Sequence, residues 1–212
     1  VLITVIHMLT LDNQSMKIKV GLLTAVFLLG NLSIATAAPI YTFPVAGCTV
    51  KYGKYHHDYP ATDIIAKKGC AFVSPVAGVI DEVVLVDKWS GKTNLGADRG
   101  GLSISIIGDD GVRYYGSHLS KIETNVIPGL KVASGDKLGE IGASGSAKGT
   151  APQLHFGISY PTQKGIWWVK RGVGLESNGK TSPWKYLQAW QAGSDLKPKV
   201  VTPATIPAEP KK

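Results

Sequence analysis

Between residues 40 and 160 the apolar residues come in short runs, each cut off by glycine, proline or aspartate, and this punctuation leaves little room for helices. The runs CAFVSPV, GVIDEVVLV, GLSISIIGDDG, VRYYGSHLS, KLGEIGASG and QLHFGISY alternate or stay apolar in the way strands do. The breaks come from 25 glycines and 12 prolines, because glycine reaches turn conformations cheaply and proline cannot donate to a strand ladder. In IGDDGVRYYG, Asp109-Asp110-Gly111 sits between two such runs and predicts a hairpin. One window has a helical period: SPWKYLQAWQA, with Ser182 as cap, Pro183 at the first helical position, and Trp184, Leu187 and Trp190 on one face. The pattern predicts a mostly β chain, a single antiparallel β domain over residues 40–192 with a short C-terminal helix.

The ends read differently. From Met16 the chain runs MKIKVGLLTAVFLLGNLSIATAAP, in which Lys17 and Lys19 precede an apolar stretch from Val20 to Leu29. That stretch is too short to span a bilayer, and Ala35-Thr36-Ala37 is a small-x-small cleavage signal. Residues 1–37 are therefore expected to be leader and signal peptide, with translation starting at Met16; a retained membrane anchor is the alternative. After Gly193 the sequence SDLKPKVVTPATIPAEPKK is rich in proline and lysine and predicts a flexible tail over 193–212.

Export fits the cysteines. Cys48 and Cys70 are the only two, and in an oxidising compartment they most simply pair; without CxxC spacing, a cysteine metal site is the weaker alternative. Without Lys17, Lys19 and Asp12 the remaining chain keeps 21 basic and 14 acidic residues, a net of +7. Such a balance draws an exported domain towards polyanions such as anionic wall polymers or acidic lipid surfaces. No Lys/Arg cluster is interleaved with aromatics, so nucleic acid is not an expected partner.

Four histidines lie beyond residue 37: His56 and His57 in YHHDYPATDI, His118 in YYGSHLS and His155 in QLHFGIS. Zinc takes imidazole nitrogen and carboxylate oxygen in tetrahedral geometry, and a catalytic site keeps one position open. Two histidines and Asp63 would leave that position free. The period of a strand puts Leu154 and Phe156 on one face and His155 on the other. These residues alone allow a zinc site, and they equally allow separate hydrogen-bonded strand histidines.

Three ordered motifs carry a resemblance. DIIAKKGCAFVSPVAGVI, YYGSHLS and VASGDKLGEIGASGSAKGTAPQLHFGIS resemble the conserved runs of the lysostaphin-type (LytM-type) zinc peptidoglycan endopeptidases, over roughly residues 45–190. WWVKRGV and SPWKYLQAW resemble the C-terminal segment of one branch. The resemblance implies a lysostaphin-like fold of the duplicated hybrid motif type. It also implies one zinc ion per chain held by His57, Asp63 and His155, with His118 as the assisting catalytic residue.

Two departures stand out. His57 precedes Asp63 by six positions where the family pattern has four, so His56 is an alternative ligand. The first histidine of the family's HxH is Gln153 here, and an amide donates a hydrogen bond but takes no proton as a base. The implied function is an exported monomeric zinc metallopeptidase that hydrolyses peptide cross-links of peptidoglycan, in the periplasm or cell wall. The alternative is a weakened or inactive domain that binds the wall or activates another hydrolase. Tyr59, Tyr115, Trp89 and Trp167, with the segment 87–101, are candidate groove residues.

Overall fold

The structure, a computed structural model, describes the backbone of residues 6–10 and 19–23 and, in full, residues 40–54, 56, 60–159 and 183–199. The first 37 residues form one compact unit and the rest a second. In the first, β1 (Ile6–Thr10) pairs antiparallel with β2 (Lys19–Leu23).

The second unit holds a ten-stranded, antiparallel, curled sheet. Its strands are β3 (Val45–Ala46), β4 (Lys51–Tyr52), β5 (Thr62–Ile65), β6 (Ala71–Val73), β7 (Gly78–Val84), β8 (Leu102–Gly108), β9 (Arg113–Ile122), β10 (Lys131–Val132), β11 (Lys137–Ile141) and β12 (Gln153–Ser159). All six apolar runs read from the sequence supply strands. The order β10-β7-β8-β9-β11-β6-β3 forms the main path, while β12 pairs with β9 and β5, and β4 pairs with β5. The expected Asp-Asp-Gly hairpin joins β8 to β9: Gly111 takes φ +79, which an L side chain rarely adopts, and Asp110 Oδ1 accepts the Val112 N–H at 3.1 Å.

Strand β9 organises the sheet. On one edge it pairs with β8. On the other, Arg113 to Ser117 pair with β12, whereas Leu119 to Ile122 pair with β11. The sheet thus forks at His118. The core gathers Ile64, Phe72, Ile104, Tyr114, Leu119 and Phe156, all fully buried, and each buried aliphatic or Phe side chain contributes about 1.5–3 kcal/mol over an exposed one.

Helix α1 (Trp184–Gln191) closes this core with Tyr186, Leu187 and Trp190. Trp190 stacks on Tyr41 with ring centroids 5.2 Å apart. Trp184 is only half buried, with Lys54 Nζ 5.7 Å from its ring centroid; Tyr186 takes its place on the buried face, because the core lies against the Tyr186–Leu187 side of the helix. The expected cap, Ser182, lies outside the described residues. The first residues of the expected tail are tied down. Trp190 Nε1 donates to the Leu196 carbonyl at 3.0 Å, and Asp195 Oδ1 accepts the Tyr41 N–H at 2.8 Å. Cys48 and Cys70 form a disulfide, as expected.

Candidate metal centre and active site

Strands β5 and β12 place two of the candidate ligands by register alone. His155 and Asp63 are directly opposed across the antiparallel pair, while their neighbours Leu154 and Ile64 point into the core. Opposed residues of such a pair have Cβ atoms about 4.5–5.5 Å apart, close enough for polar tips to meet. His155 Nδ1 donates to Asp63 Oδ1 at 2.7 Å. Buried Pro60 and Ala61 anchor the entry to β5, so the carboxylate starts from a fixed backbone.

His56 completes the cluster. Its Nε2 lies 3.9 Å from Asp63 Oδ2, and its ring centroid is 5.0 Å from that of His155. One ligand atom from each of His56, Asp63 and His155 lies within 4.8 Å of the others. His57, the histidine preferred from spacing, lies outside the described residues. Both imidazoles are buried, and the carboxylate is 31% exposed, which leaves the cluster one solvent-facing side.

The donor set fits zinc. Two imidazole nitrogens and a carboxylate oxygen are its usual partners, and tetrahedral donors at about 2.0–2.1 Å from the ion lie roughly 3.3 Å apart. One such atom from each residue lies within 4.8 Å of the others, and an ion would take the place of the proton that His155 Nδ1 shares with Asp63. Burial raises the Asp63 pKa, yet the hydrogen bond and charge of His155, with the charges of His56 and His118, outweigh it and hold the carboxyl below its ordinary range. Asp63 is therefore ionised at neutral pH, as a ligand must be.

His118 reaches the site by a different route. Ser117 is paired opposite His155, so strict alternation would send His118 to the other face, into the core. Instead β9 carries an extra residue here. Its register slips against β8 between Gly116 and Leu119, and again against β11 between Leu119 and Lys121, and Leu119, not His118, enters the core. Such a bulge re-aims a side chain. The cost is visible in the backbone: His118 has φ +66, a region uncommon for residues other than glycine.

Two loops hold that conformation. The His118 N–H donates to the Gly100 carbonyl at 2.9 Å, and His118 Nδ1 donates to the Ser144 carbonyl at 2.9 Å. With its proton on Nδ1, the ring keeps a lone pair on Nε2. Burial, then the charge of neighbouring His155, outweighs the Ser144 carbonyl and lowers the His118 pKa to about 4. The ring is neutral at pH 7. Its centroid lies 5.8 Å from that of His155, so it borders the cluster of candidate ligands.

The two loops meet backbone to backbone. A Cβ on Gly101 would overlap the Gly145 amide nitrogen, and one on Gly145 would overlap the Arg99 carbonyl oxygen. Their φ values, +59 and +62, independently favour glycine. The Ser144 hydroxyl accepts the Leu102 N–H at 3.0 Å.

The chain matches the model of Peptidase family M23 over residues 57–166, just over half its length. It belongs to Peptidase family M23. Among solved structures, this M23 domain is similar to the catalytic domain of the antimicrobial peptidase lysostaphin from Staphylococcus simulans, with 27% identity, 66% of this chain and 92% of that one covered, and a TM-score of 0.46. It is also similar to a candidate glycyl-glycine endopeptidase, lytM, from Ruminococcus gnavus, at 21% identity over 73% of this chain and 62% of that one, with a TM-score of 0.53. A zinc-containing peptidase from Vibrio cholerae matches at 22% identity over 56% and 36% of the two chains, with a TM-score of 0.42. No curated protein matches the M23 domain significantly.

The antiparallel curled sheet with one short helix is thus the M23 architecture expected from the three motifs. Of the candidate groove residues, Tyr115 lies 6.5 Å from His155, centroid to centroid, and Trp89 sits beneath Lys148 at 5.8 Å. Tyr59 and Trp167 are outside the described residues. Sequence reasoning missed Ser144 and the bulge at His118. A serine in ASGSAKG carries no sign that its carbonyl will hold a histidine 26 positions earlier.

Proposed function

We propose that this M23 domain is an exported zinc metallopeptidase that hydrolyses peptide cross-links of peptidoglycan. The observation that carries the reading is the convergence of His56, Asp63 and His155 beside a neutral His118, in a chain of a peptidase family. His56, Asp63 and His155 would hold the ion; the spacing-based choice of His57 is retained as the competing assignment. Zinc held there would supply a Lewis acid that polarises an amide carbonyl and makes water a nucleophile at neutral pH.

The chain's own residues do the rest. His118, neutral and protonated on Nδ1, presents Nε2 as the base that accepts the water's proton and later returns it to the leaving amine. Gln153 stands two residues before His155 on β12, hence on the same face by strand alternation. Its amide is suited to donate to a developing oxyanion but takes no proton, so acid–base work falls to His118 alone. The net charge of +7 on residues 38–212 favours approach to anionic wall polymers. The leader over 1–37 would deliver the domain to the wall compartment as a monomer. A disulfide suits that compartment.

The test is metal analysis with substrate digestion. The purified domain should carry about one zinc per chain and release peptides from purified sacculi in a zinc-dependent manner. His155→Ala should lose both. Comparison of His56→Ala with His57→Ala separates the two ligand assignments, since only the true ligand's loss should empty the site. Gln153 favours a second reading, a wall-binding module with little catalysis. A zinc-loaded protein that binds sacculi without releasing peptides, and gains nothing from Gln153→His, would support that reading instead.

A further inference from the structure

Asp87 lies outside the metal cluster, at the start of the loop that follows β7, and nothing in the mechanism above uses it. It is nevertheless saturated with donors. Its Oδ1 accepts the Trp89 N–H at 3.0 Å. Its Oδ2 accepts the Gly145 N–H at 3.0 Å and lies 2.8 Å from Lys148 Nζ. Lys148 in turn covers the Trp89 ring.

The targets of these bonds are specific. Gly145 directly follows Ser144, whose carbonyl fixes Nδ1 of His118. Because Gly145 and Gly101 are in backbone contact, any movement of the 144–148 turn also shifts the loop that holds the His118 amide through Gly100. The chain of contacts from Asp87 to the imidazole therefore contains one peptide unit, Ser144–Gly145, pinned at its nitrogen by a carboxylate and presenting its oxygen to the ring. Hydrogen bonds to an ionised acceptor are roughly twice as strong as neutral ones, which suits a fastening that must hold a residue at φ +66.

We propose that Asp87 is the positioning residue of His118: by holding the Gly145 amide it fixes the Ser144 carbonyl, and with it the ring's orientation and tautomer. This inference rests on the peptidase reading only for its kinetic consequence. The geometric consequence is independent of it. Loss of Asp87 frees the Ser144–Gly145 peptide unit, and the imidazole then samples both tautomers and more than one orientation.

The experiment uses the full chain with nitrogen-15-labelled histidine, comparing wild type, Asp87→Ala, Asp87→Asn and Lys148→Met. In wild type, side-chain NMR should show His118 in one tautomer with the proton on Nδ1. In Asp87→Ala that signature should broaden or shift towards a mixture. kcat on a cross-link peptide should fall about ten- to a hundred-fold, the scale of a misplaced group, with KM and bound zinc unchanged. Lys148→Met, which leaves the Gly145 bond in place, should move both readouts much less. Asp87→Asn takes the place of the alanine variant if that one fails to fold. A folded variant with unaltered His118 signals and unaltered kcat overturns the proposal. Equal losses in Asp87→Ala and Lys148→Met also overturn it, because they indicate charge or loop stability and not the held peptide unit. If wild type proves inactive on every cross-link peptide, the peptidase reading fails, and the tautomer measurement alone decides the role of Asp87.

Discussion

Asp63 and His155 face each other across a regular antiparallel pair, whereas His118 reaches the same site from a strand that has lost its regularity. The first two need only correct register between β5 and β12, with hydrophobic neighbours on the opposite face to enforce it. His118 needs a bulge, a positive φ, and two loops locked by glycines whose φ and close backbone contacts penalise any side chain. A metal cluster tolerates simple construction because the ion itself draws its ligands together. A ring proposed to transfer protons has no such help, so its orientation must come from the protein.

The largest expected effect falls on the regular side. Asp63→Ala should abolish stoichiometric zinc binding, measured by metal analysis, while the fold persists as judged by circular dichroism, because Asp63 is partly exposed and its neighbours supply the packing. A variant that keeps its zinc would break the comparison, since register would then not be what builds the cluster.

Next comes the disulfide, which closes a stretch of 22 residues of separation around His56 and Asp63. Replacing both cysteines by serine should cost about 3 kcal/mol from the unfolded-state entropy of a loop of this size, read as a shift of the urea midpoint. Zinc affinity, measured against a competing chelator, should fall with it, because His56 is then fastened to Asp63 through a less restrained chain. The tautomer of His118 should not change.

Gly145→Ala tests the irregular side. The alanine would adopt an unfavourable φ and meet the Arg99 carbonyl, a strain of roughly 1–3 kcal/mol. The expected outcome is a lower melting temperature and lower kcat with zinc content intact, the mirror image of the cysteine variant. Equal disturbance of zinc and catalysis by both variants would mean that the two sides are not separately built.

The smallest effect is electrostatic. Burial raises the Asp87 pKa, but bonds from Lys148, Gly145 and Trp89 outweigh it, and the carboxyl is held below its ordinary value of 3.8. A depressed carboxylate contributes stability that is present above its unfolded pKa and is lost as pH falls through the folded value. The melting-temperature gap between wild type and Asp87→Asn should therefore be constant from pH 5 to 8 and narrow below about pH 4. A gap that persists unchanged at low pH would assign the stabilisation to shape and not to charge.

Much of this was legible without coordinates, for a physical reason. Strand alternation, turn residues and the alternation around His155 are local properties, written in residues next to each other. They predicted the five long strands β7, β8, β9, β11 and β12 and the short β6, the Asp-Asp-Gly hairpin, the helix, and the outward face of His155. The ordered motifs pointed to the family and to Asp63, His155 and His118 as site residues. Choosing between His56 and His57 was beyond counting. That choice depends on how the chain crosses from β4 to β5, and His56 is the histidine that the described residues bring to Asp63.

What only the tertiary structure decided is the set of contacts between residues far apart in the chain. The bulge that turns His118 out of the core depends on the pairing of β8 with β9, while the Ser144 carbonyl that fixes its proton and the Asp87 carboxylate that pins the next amide join segments separated by 26 and 58 positions. No periodicity records such a contact, because each residue involved is ordinary in its own neighbourhood. The sequence by itself determined a mostly β domain with imidazoles and a carboxylate ready to gather. The fold decided which of them meet, and which way the His118 ring is turned.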